Sequence, residues 1–328
     1  MAGQVYAMDG LLGARSGSLN GDPAAQTDQT EATTMLRSML FTPGNQPRRV
    51  AKALAEIPAD AVILDLEDAV PIAAKEATRA AVAAALAIPR RTTLYVRVNG
   101  VETPWFFGDL EAVVRRGLDG VMLPKTASVE MLLLADRHLS HLEAERGLPR
   151  GSVDLLPLIE SAEGVANLRE ICTTGLARVK RLGFGAADYT ADVGATWTAG
   201  EEELLLPRAH LVLYSRLGRL EPPIDTVYPH FHDPQGFEAS SRRARQLGFQ
   251  GRMCIHPDQV EAANRIFSPT PEEIAWAQEV IAAFREAEAQ GVGAIAVRDQ
   301  LIDYAFVARA RRILSAAAAP RPEGGARE

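Results

Sequence analysis

"DLLPLIESAEG", residues 154–164, is the stretch on which the fold turns. Leu155, Leu156, Leu158 and Ile159 make a short apolar run, and Glu160 closes it with no polar lead-in. Ser161 and Gly164 then turn the chain into a helical segment. Such a run, giving way at once to a helix, is the pattern of a parallel strand covered on both faces. A carboxylate inside a core is disfavoured, so this strand must end where a charge has something to meet.

The same unit recurs on both sides. Before it come "SMLFTPG" (38–44), "AVILDLE" (61–67), "TLYVRVN" (93–99) and "GVMLPK" (120–125). After it come "VKRLGFG" (179–185), "IDTVY" (224–228) and "GRMCIHP" (251–257). Helical patterns such as 73–87 and 127–145 lie between them. Eight strand–helix units over roughly 220 residues predict an α/β TIM (β/α)8 barrel. A doubly wound open sheet is the alternative, but no GxGxxG follows the first strand. In a barrel the strand ends share one face, where active sites are built. Glu67, Asp68, Arg97, Asn99, Lys125, Glu160, Asp188 and His256 all fall at such ends.

The barrel is predicted over residues 35–267. Residues 1–34 lack periodicity and read as a poorly ordered extension that fits neither a signal peptide nor a transit peptide, with a cytoplasmic protein behind it. Ser268, Pro269 and Pro271 break the chain before a long helix, a Gly-rich turn and a final helix. That piece, 268–316, is either a packed prop or a lid, and 317–328 reads as a flexible tail. A net charge of −7 and a pI near 5.5 argue against nucleic acid or an anionic membrane as partner. Cys172 and Cys254 are too few for a disulfide framework or a zinc site, and no apolar run approaches the ~18 residues that would span a bilayer.

Glu160 and Asp188 end neighbouring strands, whose axes in a sheet lie ~4.8 Å apart. Two hard oxygen donors at that spacing suit Mg²⁺, with Mn²⁺ also accommodated. The alternative is that both favour helix N-termini. Asp192 reads as a loop or capping residue. Arg97 either grips a substrate carboxylate in bidentate fashion or pairs with Glu67 or Asp68. Lys125 is an anion contact or a solvated strand end, and His256 a hydrogen-bonded structural residue. Arg48 and Arg49 read as a solvated face, though a phosphate there would gain from the helix N-terminus.

Taken together, "RSMLFTPGNQP", "ADAVILDLEDAV", "VRVNG", "VMLPK", "LIESAEGV", "GFGAADYTADVG", "GFQGRMCIHPDQV" and "FSPTPEEIAWA" resemble, in order, the citrate lyase beta subunit-like family, which includes malyl-CoA and citramalyl-CoA lyases. The resemblance runs from about Arg37 to Leu314. It implies a barrel, commonly trimeric, that binds Mg²⁺ through Glu160 and Asp188. It further implies that Arg97 binds the 2-oxo acid end of the substrate and that Glu67 supports the metal waters. Asp303, in a C-terminal lid that enters the neighbouring subunit, is implied as the acid/base. Ala187 stands where the family often has an acid, and the lid reads Asp299–Ala305 where the family usually has G-K-M-x-D-x-P.

The expected reaction is cleavage of a 3-hydroxy-3-carboxyacyl-CoA (citramalyl-, malyl- or citryl-CoA) to acetyl-CoA and a 2-oxo acid, with Arg37, Arg48 and Lys125 as candidate CoA contacts. A CoA-free pyruvate aldolase and a citrate lyase subunit acting on acyl-carrier-protein thioesters are the alternatives.

Overall fold

Eight parallel strands pair in chain order and close, first to last, into a barrel. They are β1 (Ser38–Pro43), β2 (Ala61–Asp65), β3 (Thr93–Arg97), β4 (Gly120–Leu123), β5 (Asp154–Ile159), β6 (Gly183–Phe184), β7 (Ile224–Asp225) and β8 (Gly251–Cys254). The computed structural model describes residues 35–319. The extension read at 1–34 and most of the tail read at 317–328 lie outside the described residues.

Helices α1 (Pro47–Ala55), α2 (Lys75–Ala85), α3 (Phe106–Val113) and α4 (Val129–Glu145) follow the first four strands. Then come α5 (Ala162–Ala166), α6 (Leu168–Cys172), α7 (Ala186–Asp192), α8 (Leu205–Leu217), α9 (Pro234–Leu247) and α10 (Pro257–Phe267). All eight strands stand where the apolar runs placed them, but β6 and β7 have only two residues each. The rest of the β6 run lies mostly before its strand, and the rest of the β7 run follows its strand as loop at the end where the strands finish.

Side chains alternate across each strand, and the two faces feed two cores. Ala61 and Ile63 of β2, Tyr95 of β3, Met122 of β4 and Leu156 and Leu158 of β5 fill the barrel interior with Met39, Ile224 and Met253. Val62, Leu64, Leu94, Val96, Leu155 and Ile159 face outward, against the helices. Continuing the inward register by two residues gives Asp65 after Ile63, Arg97 after Tyr95 and Glu160 after Leu158. The carboxylate at the tip of β5 is thus the top layer of the barrel interior, at its open end.

Beyond the barrel, α11 (Pro271–Ala289) starts with a capping box between Thr270 and Glu273. A two-stranded antiparallel hairpin, β9 (Ile295–Val297) with β10 (Gln300–Ile302), leads to α12 (Tyr304–Ala318). Val280, Phe284, Val297, Ile302 and Val307 give this segment a hydrophobic core of its own. Helix α12 therefore continues past the point where the sequence reads as a tail. Among the described residues no helix is long and apolar enough to cross a membrane.

Candidate active site at the barrel mouth

The mouth is built on an ion pair between the ends of two strands. Asp65 and Arg97 are the last residues of β2 and β3 and stand in register. Arg97 Nε donates to Asp65 Oδ1 at 2.8 Å and Nη2 to Oδ2 at 2.6 Å, a bidentate fork. The guanidinium lies over the Phe41 ring at 4.8 Å. Burial works against its charge, but the bonds to Asp65 and the charges of Asp65, Glu67 and Glu160 more than offset this and raise its pKa. Asp65 also accepts from the Glu67 and Ala69 backbone N–H groups, at 2.9 and 3.1 Å, and so folds the β2–α2 loop over itself.

Glu67 is 5% exposed and sits between the two cations. Its Oε1 is 3.1 Å from Lys125 Nζ and its Oε2 3.0 Å from Arg97 Nη1. No donor is aligned on that Oε2, which is a buried acceptor without a hydrogen bond. Burial pushes the Glu67 carboxyl up, against the pull of Arg97 and Lys125. Asp68 is exposed, with an oxygen 3.8 Å from Arg97 Nη1.

Lys125 holds the site together through its backbone. Its φ of +50° is left-handed, strained for a residue with a side chain, and its N–H donates to Glu160 Oε1 at 2.7 Å. On the other side of Glu160, a methyl group at Gly185 would lie 2.3 Å from Oε2, so the carboxylate needs a glycine there. Asp188, in the first turn of α7, is close enough to repel Glu160. Burial, followed by that repulsion, pushes the Glu160 carboxyl up to about 8.

Glu67, Arg97, Lys125, Glu160 and Asp188 therefore meet at one mouth. Arg48 lies in the first turn of α1, exposed, on the side where β1 ends. Arg37 requires a correction. It precedes β1, at the opposite end of the barrel, and its Nε and Nη2 are locked on Asp60 at 2.7 Å each, with Nη1 on Ser268 at 2.9 Å. Its role there is to tie strand starts to the C-terminal segment, not to meet a ligand at the mouth. Asp303 caps α12 by accepting from Ala305 and Phe306 N–H at 2.9 and 3.3 Å, and no mouth residue is among its partners. His256 caps α10, accepting from Asp258 N–H.

Two supporting residues escape the sequence. The alternative partners foreseen for Arg97 were Glu67 and Asp68, yet the principal one is Asp65, whose signal was its place in the inward register of β2. Lys75 lies in the helical pattern at 73–87, where nothing in the sequence singles it out, yet it is buried and donates to the Leu66 and Glu67 carbonyls at 3.1 and 2.9 Å and to Asn99 Oδ1 at 2.6 Å. It fixes the backbone that carries Glu67.

The donor set can be judged from these facts. Among the described residues, no cluster of three or more His, Cys, Asp or Glu is arranged to hold a metal. Two neighbouring carboxylates, with an unsatisfied acceptor beside them, suit a hard cation that keeps most of its ligands as water, as Mg²⁺ does. Among the described residues, five carboxylates (Asp65, Glu67, Asp68, Glu160, Asp188) face Arg97 and Lys125, and the surplus favours a cation at that point.

A family model described as HpcH/HpaI aldolase/citrate lyase matches residues 37–257. The chain is 36% identical over 283 residues to citrate lyase subunit beta of Leuconostoc mesenteroides subsp. cremoris, covering 86% of this chain and 93% of the relative. It is 31% identical to the mitochondrial citramalyl-CoA lyase of Mus musculus, with 86% of each chain covered. Among solved structures, the protein CitE from Mycobacterium tuberculosis, in complex with magnesium, acetoacetate and coenzyme A, is 30% identical. It superposes with a TM-score of 0.70 over 88% of this chain and 99% of its own.

Proposed function

Because the chain belongs to the HpcH/HpaI aldolase/citrate lyase family, we propose that it is a Mg²⁺-dependent carbon–carbon lyase. Its substrate is a 3-hydroxy-3-carboxyacyl-CoA, cleaved at C2–C3 to acetyl-CoA and a 2-oxo acid. The observation that carries the reading is Glu160, a buried carboxylate at the top of the barrel interior whose ionisation the surrounding protein opposes. The magnesium and coenzyme A in the CitE complex support the same reading.

Glu160 and Asp188 would hold the cation. When bound, Mg²⁺ supplies a Lewis acid that stabilises charge on the substrate's hydroxyl and carboxylate oxygens and orients them. Arg97 spends its Nε edge on Asp65, and its far edge, where Nη1 also lies 3.0 Å from Glu67 Oε2, would meet the substrate carboxylate. Its orientation is therefore fixed before substrate arrives, which is what positioning demands. Glu67 and Lys125 flank that edge, and Glu67 Oε2 is the acceptor that a water would satisfy. Lys125 and Arg48 are the cations on this face for the anionic parts of CoA. The thioester enolate that leaves needs a proton from a positioned acid. The family resemblance points to Asp303 of a neighbouring subunit in a homotrimer for that step; within its own chain Asp303 caps α12.

A second reading, the beta subunit of a citrate lyase complex acting on carrier-protein thioesters, is favoured by the 36% identity to such a subunit. One assay separates the two. Purified protein is given citramalyl-, malyl- and citryl-CoA, and a citryl thioester of an acyl carrier protein, with Mg²⁺ or EDTA, beside Glu160→Ala and Asp303→Ala. Metal-dependent release of acetyl-CoA, lost in both variants, is expected. Activity that survives Asp303→Ala removes that residue from the mechanism. Cleavage of carrier-protein thioesters but of no CoA ester moves the assignment to the second reading.

A further inference from the structure

Helix α7 carries Asp188, and it is held at both ends by side chains that belong to neighbouring parts of the mouth. Gly185 precedes it and offers no side-chain cap. Instead Thr226, just beyond β7 and 1% exposed, accepts from the Ala186 N–H through Oγ1 at 2.9 Å. The Thr226 carbonyl is itself fixed by Arg252, whose Nε and Nη2 donate to it at 3.2 and 3.1 Å. At the far end, Asp192 Oδ2 accepts from the Ala162 N–H at 2.7 Å. Ala162 is two residues beyond Glu160.

The Asp192 bond is not needed to start α5. Ser161 already caps that helix, accepting from Gly164 N–H at 3.1 Å. What the bond does is join the C-terminal end of α7 to the backbone that leads out of Glu160. With Gly185 packed against Glu160 and its N–H bonded to the Ile159 carbonyl at 2.9 Å, both ends of α7 are referenced to the strand tips on either side of it.

We propose that Asp192 and Thr226 are positioning residues that fix the separation of Glu160 and Asp188, and so set the affinity of that pair for a divalent cation. The proposal rests on the reading of Glu160 and Asp188 as the metal pair. The residues that orient metal ligands, without touching the metal, commonly control affinity about tenfold or more.

The test is Mn²⁺ binding to the full-length protein, followed by the electron paramagnetic resonance signal of free Mn²⁺, with a thermal melt of each variant. Asp192→Ala is expected to raise the Mn²⁺ dissociation constant about tenfold while the metal-free melting temperature stays near that of the native protein. Asp192→Asn keeps an acceptor oxygen and is expected to restore most of the affinity. Thr226→Val should weaken binding in the same direction, and Thr226→Ser should recover it. Native affinity in Asp192→Ala overturns the proposal. So does an Asp192→Asn variant as weak as Asp192→Ala, because the loss is then one of charge and not of geometry. Glu160→Ala and Asp188→Ala distinguish the two levels. If they lose Mn²⁺ while Asp192→Ala binds normally, the clamp alone falls. If they too bind as the native protein does, the metal pair falls with it.

Discussion

Two clusters of charge are buried in this barrel, and they are built to opposite specifications. On the outer side of β7 and β8, Arg208 grips Asp225 in a fork at 2.9 and 3.0 Å and reaches Glu201 at 2.9 Å. Arg252 adds bonds to Ser240, Ser241 and the Thr226 carbonyl and lies 3.4 Å from Asp225. Three guanidinium groups, the third being that of Arg243 at 3.2 Å from Glu201 Oε2, face two carboxylates, and neither carboxylate keeps a buried oxygen without a partner, although Arg243 Nε has none. Burial opposes ionisation of Glu201, yet the bonds from Arg208 and Ser240 win and hold its pKa down. At the mouth, carboxylates outnumber cations, Glu67 keeps an unpartnered oxygen, and Glu160 is pushed up. In the first cluster every carboxylate is matched by cations of the protein itself; the second is complete only with something added.

That contrast breaks most visibly at Glu160. Glu160→Gln keeps an acceptor for the Lys125 N–H but removes the charge. The expected loss in kcat/KM is about 10³-fold, several kcal/mol of transition-state stabilisation, with no fall in the metal-free melting temperature. A variant that cleaves its ester at near-native rate would make Glu160 an ordinary buried carboxyl and dissolve the distinction.

The matching change in the outer cluster is Asp225→Asn, which leaves Arg208 and Arg252 buried without their shared counter-charge. Removing one partner of a buried pair typically costs about 3–5 kcal/mol, to be read from denaturant unfolding. The fraction that remains folded should bind Mn²⁺ through an intact mouth. If stability changes by less than about 1 kcal/mol, as for an exposed pair, the outer cluster is not what holds β7 and β8 against α8 and α9.

The sequence made the mouth easier to read than its supports. Glu160, Asp188, Arg97 and Lys125 end apolar runs, and a charge at the end of such a run is conspicuous. Asp65 is embedded in "AVILDLE", one residue among apolar neighbours, and shows only once the strand period assigns it to the inward face. Lys75 sits in an Ala-rich helical pattern where a lysine normally reaches water. The Arg208, Glu201, Asp225 and Arg252 cluster draws on a loop, a helix and two strands, and nothing local marks those residues as partners. Arg37 misled for the converse reason. It begins the first motif, but a residue just before a strand belongs to the opposite end of the barrel from one just after it.

pH gives the last and smallest handle on the same comparison. In the metal-free protein the Glu160 carboxyl titrates at about 8, above the ordinary glutamate value of about 4.3. A raised folded-state pKa means that its contribution to stability is fully present below the ordinary value and is lost as pH rises through about 8. Cation binding requires the ionised form, so at about pH 6 it must also drive off a proton, whereas at about pH 8.5 most of that cost is gone. The gain in melting temperature from Mg²⁺ should therefore be larger at the higher pH, and Glu160→Gln should lose the pH-dependent part of it. In the outer cluster Glu201 is held low by its partners. The penalty of Asp225→Asn is expected to be the same at both pH values. Equal gains from Mg²⁺ at the two pH values would mean that Glu160 is already ionised without the cation, and the mouth would then be balanced by charges within the protein, as the outer cluster is.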